Sequence, residues 1–243
     1  MRVSLDGQVV VITGASRGIG RATALGLGRA HSRLALLGRD EVALSEIEGE
    51  MRALGAEVRR YAGDLRDHAR SAAIAEQVRR DFGPVDALVN NAAVGRYGAF
   101  LELGLDDWRR MLEVNVLGLV AITQAFLPDM LARGQGHILN VSSVQGVHAT
   151  ATSSAYSATK FALMGLSESL AQDVGPRGIR VSVLCPGSVE TDFDGFPGQL
   201  KPSAMLPEEV ADAIRDMLET GGRAHISQVT LLPFGRRGET YGR

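Results

Sequence analysis

Tyr156 and Lys160 stand four residues apart, and Ser143 precedes the tyrosine by thirteen. On a helix, positions i and i+4 share a face, so the Lys160 ammonium would stand near the Tyr156 phenol. A neighbouring cation favours the ionised form of an acid, so the lysine is expected to lower the phenol's pKa. An ordinary phenol, with a pKa of about 10, is a poor base at neutral pH. Brought down toward working pH, it can give a proton to, or take one from, an alcohol or carbonyl oxygen. A surface Tyr and Lys on an amphipathic helix would have the same spacing, so the pair alone does not decide.

A second set of residues bears on the same chemistry. Gln8-Val-Val-Val-Ile-Thr13 is a continuous β-branched run of the kind a buried strand uses. It runs into Gly14-Ala-Ser16-Arg17-Gly18-Ile19-Gly20 and then a helical stretch to about His31. Strand, glycine-rich turn and helix, in that order, are the context a nucleotide site requires. Glycine lets the backbone approach a pyrophosphate, and the helix N-terminus offers unpaired N–H groups and a positive dipole end. The spacing G-x-x-x-G-x-G differs from the G-x-G-x-x-G of the usual dinucleotide turn, and a tight turn with no ligand would look alike.

Taken in order, Thr13-Gly14-x-x-x-Gly18-x-Gly20, Asn90-Asn91-Ala92-Ala93, Asn115, Ser143, Tyr156-x-x-x-Lys160 and Pro186-Gly187 resemble the short-chain dehydrogenase/reductase family. The resemblance runs from Gly7 to about Leu232. It implies a nicotinamide cofactor and hydride exchange with a carbonyl or secondary alcohol. It implies Tyr156 as acid or base and Ser143 as hydrogen-bond donor to the substrate oxygen. Lys160 would lower the tyrosine pKa and bind the nicotinamide ribose, and Asn115 would hold a water for proton relay. A mid-helix Asn is otherwise a packing compromise. By the same resemblance, Asp64 and Leu65 contact the adenine, Asn91 and Ala92 back the coenzyme, and Asn90 ties strands together. Pro186, Gly187, Val189 and Thr191 clamp the nicotinamide side, together with Gly14, Ser16, Gly18, Ile19 and Gly20 at the pyrophosphate. Thr191 could instead cap a turn before Asp192.

The elements that must position these groups alternate along the chain. Strands are expected at 8–13, 33–37, 57–62, 86–90, 136–141, 179–184 and 225–231, and helices at 18–31, 41–54, 67–82, 106–133, 154–175 and 207–220. Such alternation predicts an α/β fold, a doubly wound parallel sheet of about seven strands with helices on both faces. A switch point beside the first strand gives the order 3-2-1-4-5-6-7, with the ligand at the carboxyl ends of the strands. No linker divides residues 1–243, which are expected to form one Rossmann-like domain. The least regular stretch, about 188–206, is a candidate substrate loop.

Bulk properties fit that architecture. The 243 residues are 45% hydrophobic and 22% charged, with net charge −2. That charge gives no footprint for nucleic acid or a membrane surface. The lone Cys185 cannot form an internal disulfide and lies in an apolar run. No run of consecutive apolar residues reaches about 18, so a cytoplasmic protein without a membrane segment is expected.

The choice of nicotinamide cofactor turns on the end of the second strand, Leu37-Gly38-Arg39. An acid there would bind the ribose 2′-OH and repel a 2′-phosphate. Gly38 stands in that place, Arg39 follows, and Arg17 lies in the glycine turn. Two guanidinium groups suit a phosphate, so NADP(H) is expected, although Asp40 is adjacent and could weaken the field. Gln145, Val147, His148, Gly95, Arg96, Tyr97, Phe193, Phe196 and Met205 are candidates for the substrate pocket, with Ser143, Gln145 and Tyr156 nearest the chemistry. The partner expected is a small carbonyl or alcohol, and the long helices suggest a homo-oligomer, a tetramer or a dimer. Two alternatives stand beside the NADP(H) oxidoreductase: an NAD-dependent alcohol dehydrogenase, and a nucleotide-binding regulatory protein without turnover.

Overall fold

The computed structural model describes residues 2–193 and 204–234. Seven parallel strands, β1 (Val9–Thr13), β2 (Arg33–Gly38), β3 (Val58–Ala62), β4 (Ala87–Asn90), β5 (Gly136–Val141), β6 (Ile179–Pro186) and β7 (Gln228–Leu231), form one sheet in the order β3-β2-β1-β4-β5-β6-β7. The chain crosses from one half of the sheet to the other after β3, so β1 and β4 part at their carboxyl ends and leave a crevice there.

Successive residues of a strand face opposite sides of a sheet, and both sides here are apolar. Val10 and Ile12 join Leu34, Leu36, Val89, Leu139 and Leu184 under helices α1 (Gly18–Arg29), α2 (Glu41–Ala53) and α7 (Pro207–Glu219). Val9 and Val11 join Ala35, Leu37, Leu88, Ile138 and Val181 on the other face. There they meet α3 (His68–Phe82), through Val78 and Phe82, and α5 (Leu119–Arg133), through Ile122, Phe126 and Met130. The continuous Val/Ile runs are therefore what a sheet covered on both faces demands.

Two sequence expectations need correction. The helix expected over 106–133 is not one α-helix. It comprises α4 (Leu105–Leu112), a π-helical turn over Glu113–Gly118, and α5. By length and composition, residues 105–133 are also long and apolar enough to cross a membrane. In this fold α5 packs on the sheet through Ile122, Phe126 and Met130, while Met111 and Val114 of α4 and the π-turn pack with Ala155 and Tyr156. The last strand begins at Gln228 rather than 225; before it, Ile226 O accepts from the Ser182 hydroxyl instead of from a strand N–H, and His225 also contacts Ser182.

That contact has a pH consequence. Ser182 Oγ donates to Ile226 O at 2.7 Å and lies 2.8 Å from His137 Nε2 and 3.1 Å from His225 Nε2. The hydroxyl's one proton is used by Ile226, so both imidazoles donate to it as neutral rings. Burial, then His225 and Arg180, push the His137 pKa down from 6.5 to about 3. As pH falls below 6.5 the unfolded chain takes up a proton that the folded chain refuses until about 3, so stability is full above 6.5 and drains across that window. One such group costs roughly 1.4 kcal/mol per pH unit at most. Urea melts at pH 7 and pH 4.5 are expected to show a loss of stability that His137→Asn reduces. Equal slopes in the two proteins would rule out this origin.

Candidate active site

The crevice at the carboxyl ends of the strands is a cleft of about 700 Å³. It runs from Arg17, Gly38 and Arg39 at one end to Ser143 and Tyr156 at the other. At its floor, the turn after β1 is built for close approach. Gly14 has φ +67° and Gly18 φ +53°, a region that strains other residues. A Cβ on Gly20 would meet Gly14 O at 2.1 Å, so the first turn of α1 presses onto the loop it follows. Gly18 in turn lies under Thr191, whose Cγ2 would be 3.1 Å from an added Cβ. The clamp after β6 and the glycine turn thus meet across the cleft. Gly187 N donates to Leu231 O at 2.8 Å, so β7 buttresses the clamp from outside.

The end of β4 is tied to this turn by a residue given no role at the sequence level. Thr13 Oγ1 accepts from Asn91 N and Ala92 N, each at 3.0 Å. Asn91 Nδ2 donates back to Thr13 O at 3.0 Å and Gly14 O at 3.2 Å. Asn91 therefore holds the glycine turn in shape, while Asn90 binds Thr123 and Asn140 and ties neighbouring elements together, as expected. The only signal for Thr13 was its place at the head of the glycine motif.

At the far lip, Asp64 is held by Arg66 through both carboxylate oxygens and through the Arg66 backbone N–H. The Arg66 side-chain bonds are the main cause of its lowered pKa, and the Arg39 charge also contributes. Asp40 spends a carboxylate oxygen on Ala43 N and caps α2. Arg17, Gly38, Arg39, Asp64 and Leu65 all line the cleft. The lining would fit a dinucleotide: the turn leaves room for a pyrophosphate where side chains would collide, and Arg17 and Arg39 line the same cleft.

The chemical end is carried by the loop after β5 and by α6 (Ser154–Val174). A Cβ on Gly146 would meet Ser142 Oγ at 2.6 Å and Lys160 O at 2.8 Å, so this loop lies directly on α6. That approach brings Ser143 to Tyr156, whose hydroxyl it hydrogen-bonds. Tyr156, Lys160 and Asn115 are all buried. Lys160 Nζ donates to Val141 O at 3.0 Å and stands 5.6 Å from the Tyr156 ring centroid. Asn115 uses both amide protons, on Val94 O at 2.8 Å and Thr159 Oγ1 at 3.0 Å, and accepts from Val94 N at 2.8 Å. These bonds hold the π-turn against the loop after β4, so its side chain is a brace between the two.

The expected electrostatic effect of Lys160 on Tyr156 is overturned. Burial raises the phenol's pKa above its ordinary value, Tyr97 adds to the rise, and only the Ser143 hydrogen bond opposes it. Burial also brings Lys160 down to about 8. Desolvation is the largest influence on the phenol, and the ammonium, which donates to Val141 O and stands over the ring at 5.6 Å, does not offset it. Tyr156 is therefore held firmly protonated.

Of the remaining pocket candidates, Gln145, Tyr97 and Phe193 line the cleft, whereas Val147, His148 and Arg96 do not. Tyr97 and Phe193 flank the Tyr156 ring at centroid distances of 5.5 and 5.6 Å. Gly95 lies under Phe193, and Met205 belongs to the core and pairs with Val189. Phe196 and the middle of the 188–206 loop lie outside the described residues. Thr150, Ala151 and Thr152, just before α6, line the cleft without having been singled out in the sequence.

Comparison with known proteins agrees with this architecture. The chain is 31% identical over 232 residues to an oxidoreductase of Staphylococcus saprophyticus, covering 95% of this chain and 99% of the relative. It is similar to the structure of an alcohol dehydrogenase from the archaeon Thermococcus sibiricus complexed with 5-hydroxy-NADP, at TM-score 0.89 and 32% identity. The match covers 97% of this chain and all of that one. A metagenomic short-chain oxidoreductase in complex with NADP matches at TM-score 0.85 and 36% identity, over 96% of this chain and 100% of that one. The family model for short chain dehydrogenases matches residues 8–197. With this sheet order, this glycine turn and these matches, the chain belongs to the short-chain dehydrogenase/reductase family of oxidoreductases.

Proposed function

We propose that the whole chain acts as one dinucleotide-binding and catalytic unit, an NADP(H)-dependent reductase of small carbonyl compounds that also runs in reverse on secondary alcohols. The observation that carries the reading is the placing of Ser143, Tyr156 and Lys160 at one end of the cleft whose other end is the glycine turn and the arginine corner. A regulatory protein without turnover has no use for a buried tyrosine and a buried lysine at such an end. Two similar structures hold NADP or a derivative of it, which supports the choice of NADP(H) over NAD(H). The charge balance and the buried, unpaired Cys185 suit the cytoplasm.

In this reading the bound cofactor supplies the hydride. Gly14, Ser16, Arg17, Gly18, Ile19 and Gly20 hold its phosphates, Arg39 its ribose corner, Asp64 and Leu65 its adenine, and Asn91, Ala92, Pro186, Gly187, Val189 and Thr191 the nicotinamide half. Tyr156 gives its proton to the carbonyl oxygen as carbon gains the hydride, so the carbonyl becomes an alcohol. The proton is replaced from water. Ser143 donates to the same oxygen as negative charge develops on it. Lys160, protonated at neutral pH, binds the ribose and places a positive charge behind the tyrosine. Asn115 positions Val94 and Thr159 around them. The test is a coupled absorbance screen of carbonyls with NADPH and alcohols with NADP, each repeated with NADH and NAD. NADPH-dependent reduction is expected, and turnover with NADH alone would replace this reading by the NAD-dependent one.

The reading includes self-association. Ala158, Phe161, Ala162 and Gly165 form one exposed face of α6, and Leu112 and Leu117 are exposed on the adjoining α4 and π-turn. Small residues with an exposed Phe suit close helix packing between copies, as a tetramer or a dimer. Light scattering is expected to give a multiple of 25.8 kDa. A monomer mass alone at micromolar concentration would refute it.

A further inference from the structure

Beside Ser143 and Tyr156, the cleft is lined by Gln145. Its backbone N–H donates to Ser143 Oγ at 3.1 Å, so its side chain is within reach of groups adjoining the reacting oxygen. One end of its amide lies 3.4 Å from Ser157 Oγ. Among the described residues the other end has no hydrogen-bond partner, and it is not among the enclosed polar atoms, so it is accessible from the cleft that Gln145 lines.

Which atom is presented can be settled by counting protons. Ser153 Oγ lies 2.7 Å from Thr150 O, 3.1 Å from Thr150 Oγ1 and 2.9 Å from Ser157 Oγ. Ser153 and Ser157 are buried, so water does not complete their bonding. A hydroxyl has one proton and two lone pairs. Thr150 O has no proton to give, so Ser153 donates to it, the shortest of the three contacts. Ser153 must then accept from both Thr150 and Ser157. The Ser157 proton is used there, and its remaining contact, Gln145, has to donate to it. Only the amide nitrogen can. Amide oxygen and nitrogen are exchanged by a simple flip and are assigned from the bonding network. The atom facing Ser157, placed as Oε1, is by this count Nε2. The carbonyl oxygen then faces the cleft.

We propose that Gln145 is a specificity-determining residue that accepts a hydrogen bond from the substrate, so that the substrate carries a hydroxyl next to its reacting carbonyl. The substrate class is a hydroxy ketone in reduction and a vicinal diol in oxidation. The inference rests on the carbonyl-reductase reading and narrows it. Tyr97 and Phe193, against the Tyr156 ring, leave an apolar wall for the remainder of the molecule.

The test compares an α-hydroxy ketone, its O-methyl ether and the α-diketone of the same chain length as substrates with NADPH. Wild type is expected to prefer the hydroxy ketone about tenfold in kcat/KM, the scale of one hydrogen bond made against one lost. Gln145→Met, which keeps the volume, is expected to erase the preference. Gln145→Glu, which can still accept, is expected to keep its direction. Ether or diketone used as well as the hydroxy ketone by wild type, or a preference that survives Gln145→Met, overturns the proposal. A second readout separates it from the reaction itself: binding of the three compounds to the Tyr156→Phe protein with NADPH, by saturation-transfer NMR. If no carbonyl is turned over with any cofactor, the reductase reading falls and this measurement alone decides. Preferential binding of the hydroxy ketone then supports the Gln145 assignment, and equal binding of all three overturns it.

Discussion

Tyr156→Phe is expected to cut the rate of carbonyl reduction by about 10²–10⁴-fold, the usual worth of a positioned general acid, while the fold and NADPH affinity stay near wild type. The substitution removes one hydroxyl from a ring packed among Val94, Leu103, Met111, Val114 and Ala155. Those contacts are made by carbon and remain. The loss to stability is the hydrogen bond with Ser143, about 1 kcal/mol. The phosphate and adenine contacts proposed for the cofactor lie at the other end of the cleft and do not involve the phenol. Ser143→Ala is expected to lower turnover less, because the acid remains. The direction of the Tyr156 shift adds a pH signature. Burial keeps the phenol protonated across neutral pH, so the acid needed for reduction is always loaded, whereas oxidation must first remove that proton and is expected to rise with pH. Reduction is expected to decline once pH passes about 8, where Lys160 gives up its charge. Steady-state rates from pH 6 to 10 in both directions, beside a fluorescence titration of NADPH, read all of this. Activity of Tyr156→Phe within a few-fold of wild type would remove the tyrosine from the chemistry.

How much of this was legible in the sequence differs from one element to another. The β-branched runs of β1, β2 and β6 announce buried strands on their own, since each residue's preference and each face's burial point the same way. The glycine turn is equally local: what Gly14, Gly18 and Gly20 permit is decided within seven residues. The break over Glu113–Gly118 is not local. Leu112-Glu-Val-Asn115-Val reads as ordinary helix, and the widened turn comes with contacts from far away. Asn115 is bonded to Val94, twenty-one residues earlier. A Cβ on Gly118 would meet Leu65 Cβ at 2.8 Å. The tyrosine's electrostatics were misjudged for a related reason. Spacing puts Lys160 on the right face, but the group its ammonium chooses, Val141 O, lies on a strand nineteen residues away. Thr13 and Gly146 were overlooked because their work is to let two distant segments touch. Spacing thus finds the residues that do chemistry, while the partners that set their charge state come from topology.

Arg39→Asp is expected to weaken NADPH binding by about a hundredfold and to leave NADH binding unchanged or improved, reversing the preference of wild type. Gly38 and Arg39 end β2 at the cleft's lip, with Arg17 across the glycine turn. An Asp at the same lip would accept from a ribose 2′-OH and repel a 2′-phosphate. The exchange of a positive for a negative charge changes the local charge by two units. At about 4 Å from a phosphate, each unit is worth about 1 kcal/mol in bulk water and about 4 kcal/mol near a protein surface. Arg39 is exposed, so a value near the lower end applies, and about 1.4 kcal/mol for each of the two units corresponds to the hundredfold change. The neighbouring carboxylates do not cancel the effect in wild type, since Asp40 caps α2 and Asp64 is held by Arg66. Because the attraction crosses solvent, NADPH affinity of wild type is also expected to fall as salt rises, while NADH affinity changes little. Fluorescence titrations of both cofactors against both proteins, at low and physiological salt, measure the full set. Equal wild-type affinities for NADPH and NADH at physiological salt, or a preference for NADPH that survives Arg39→Asp, would take the arginine corner out of cofactor selection and favour an NAD-dependent dehydrogenase.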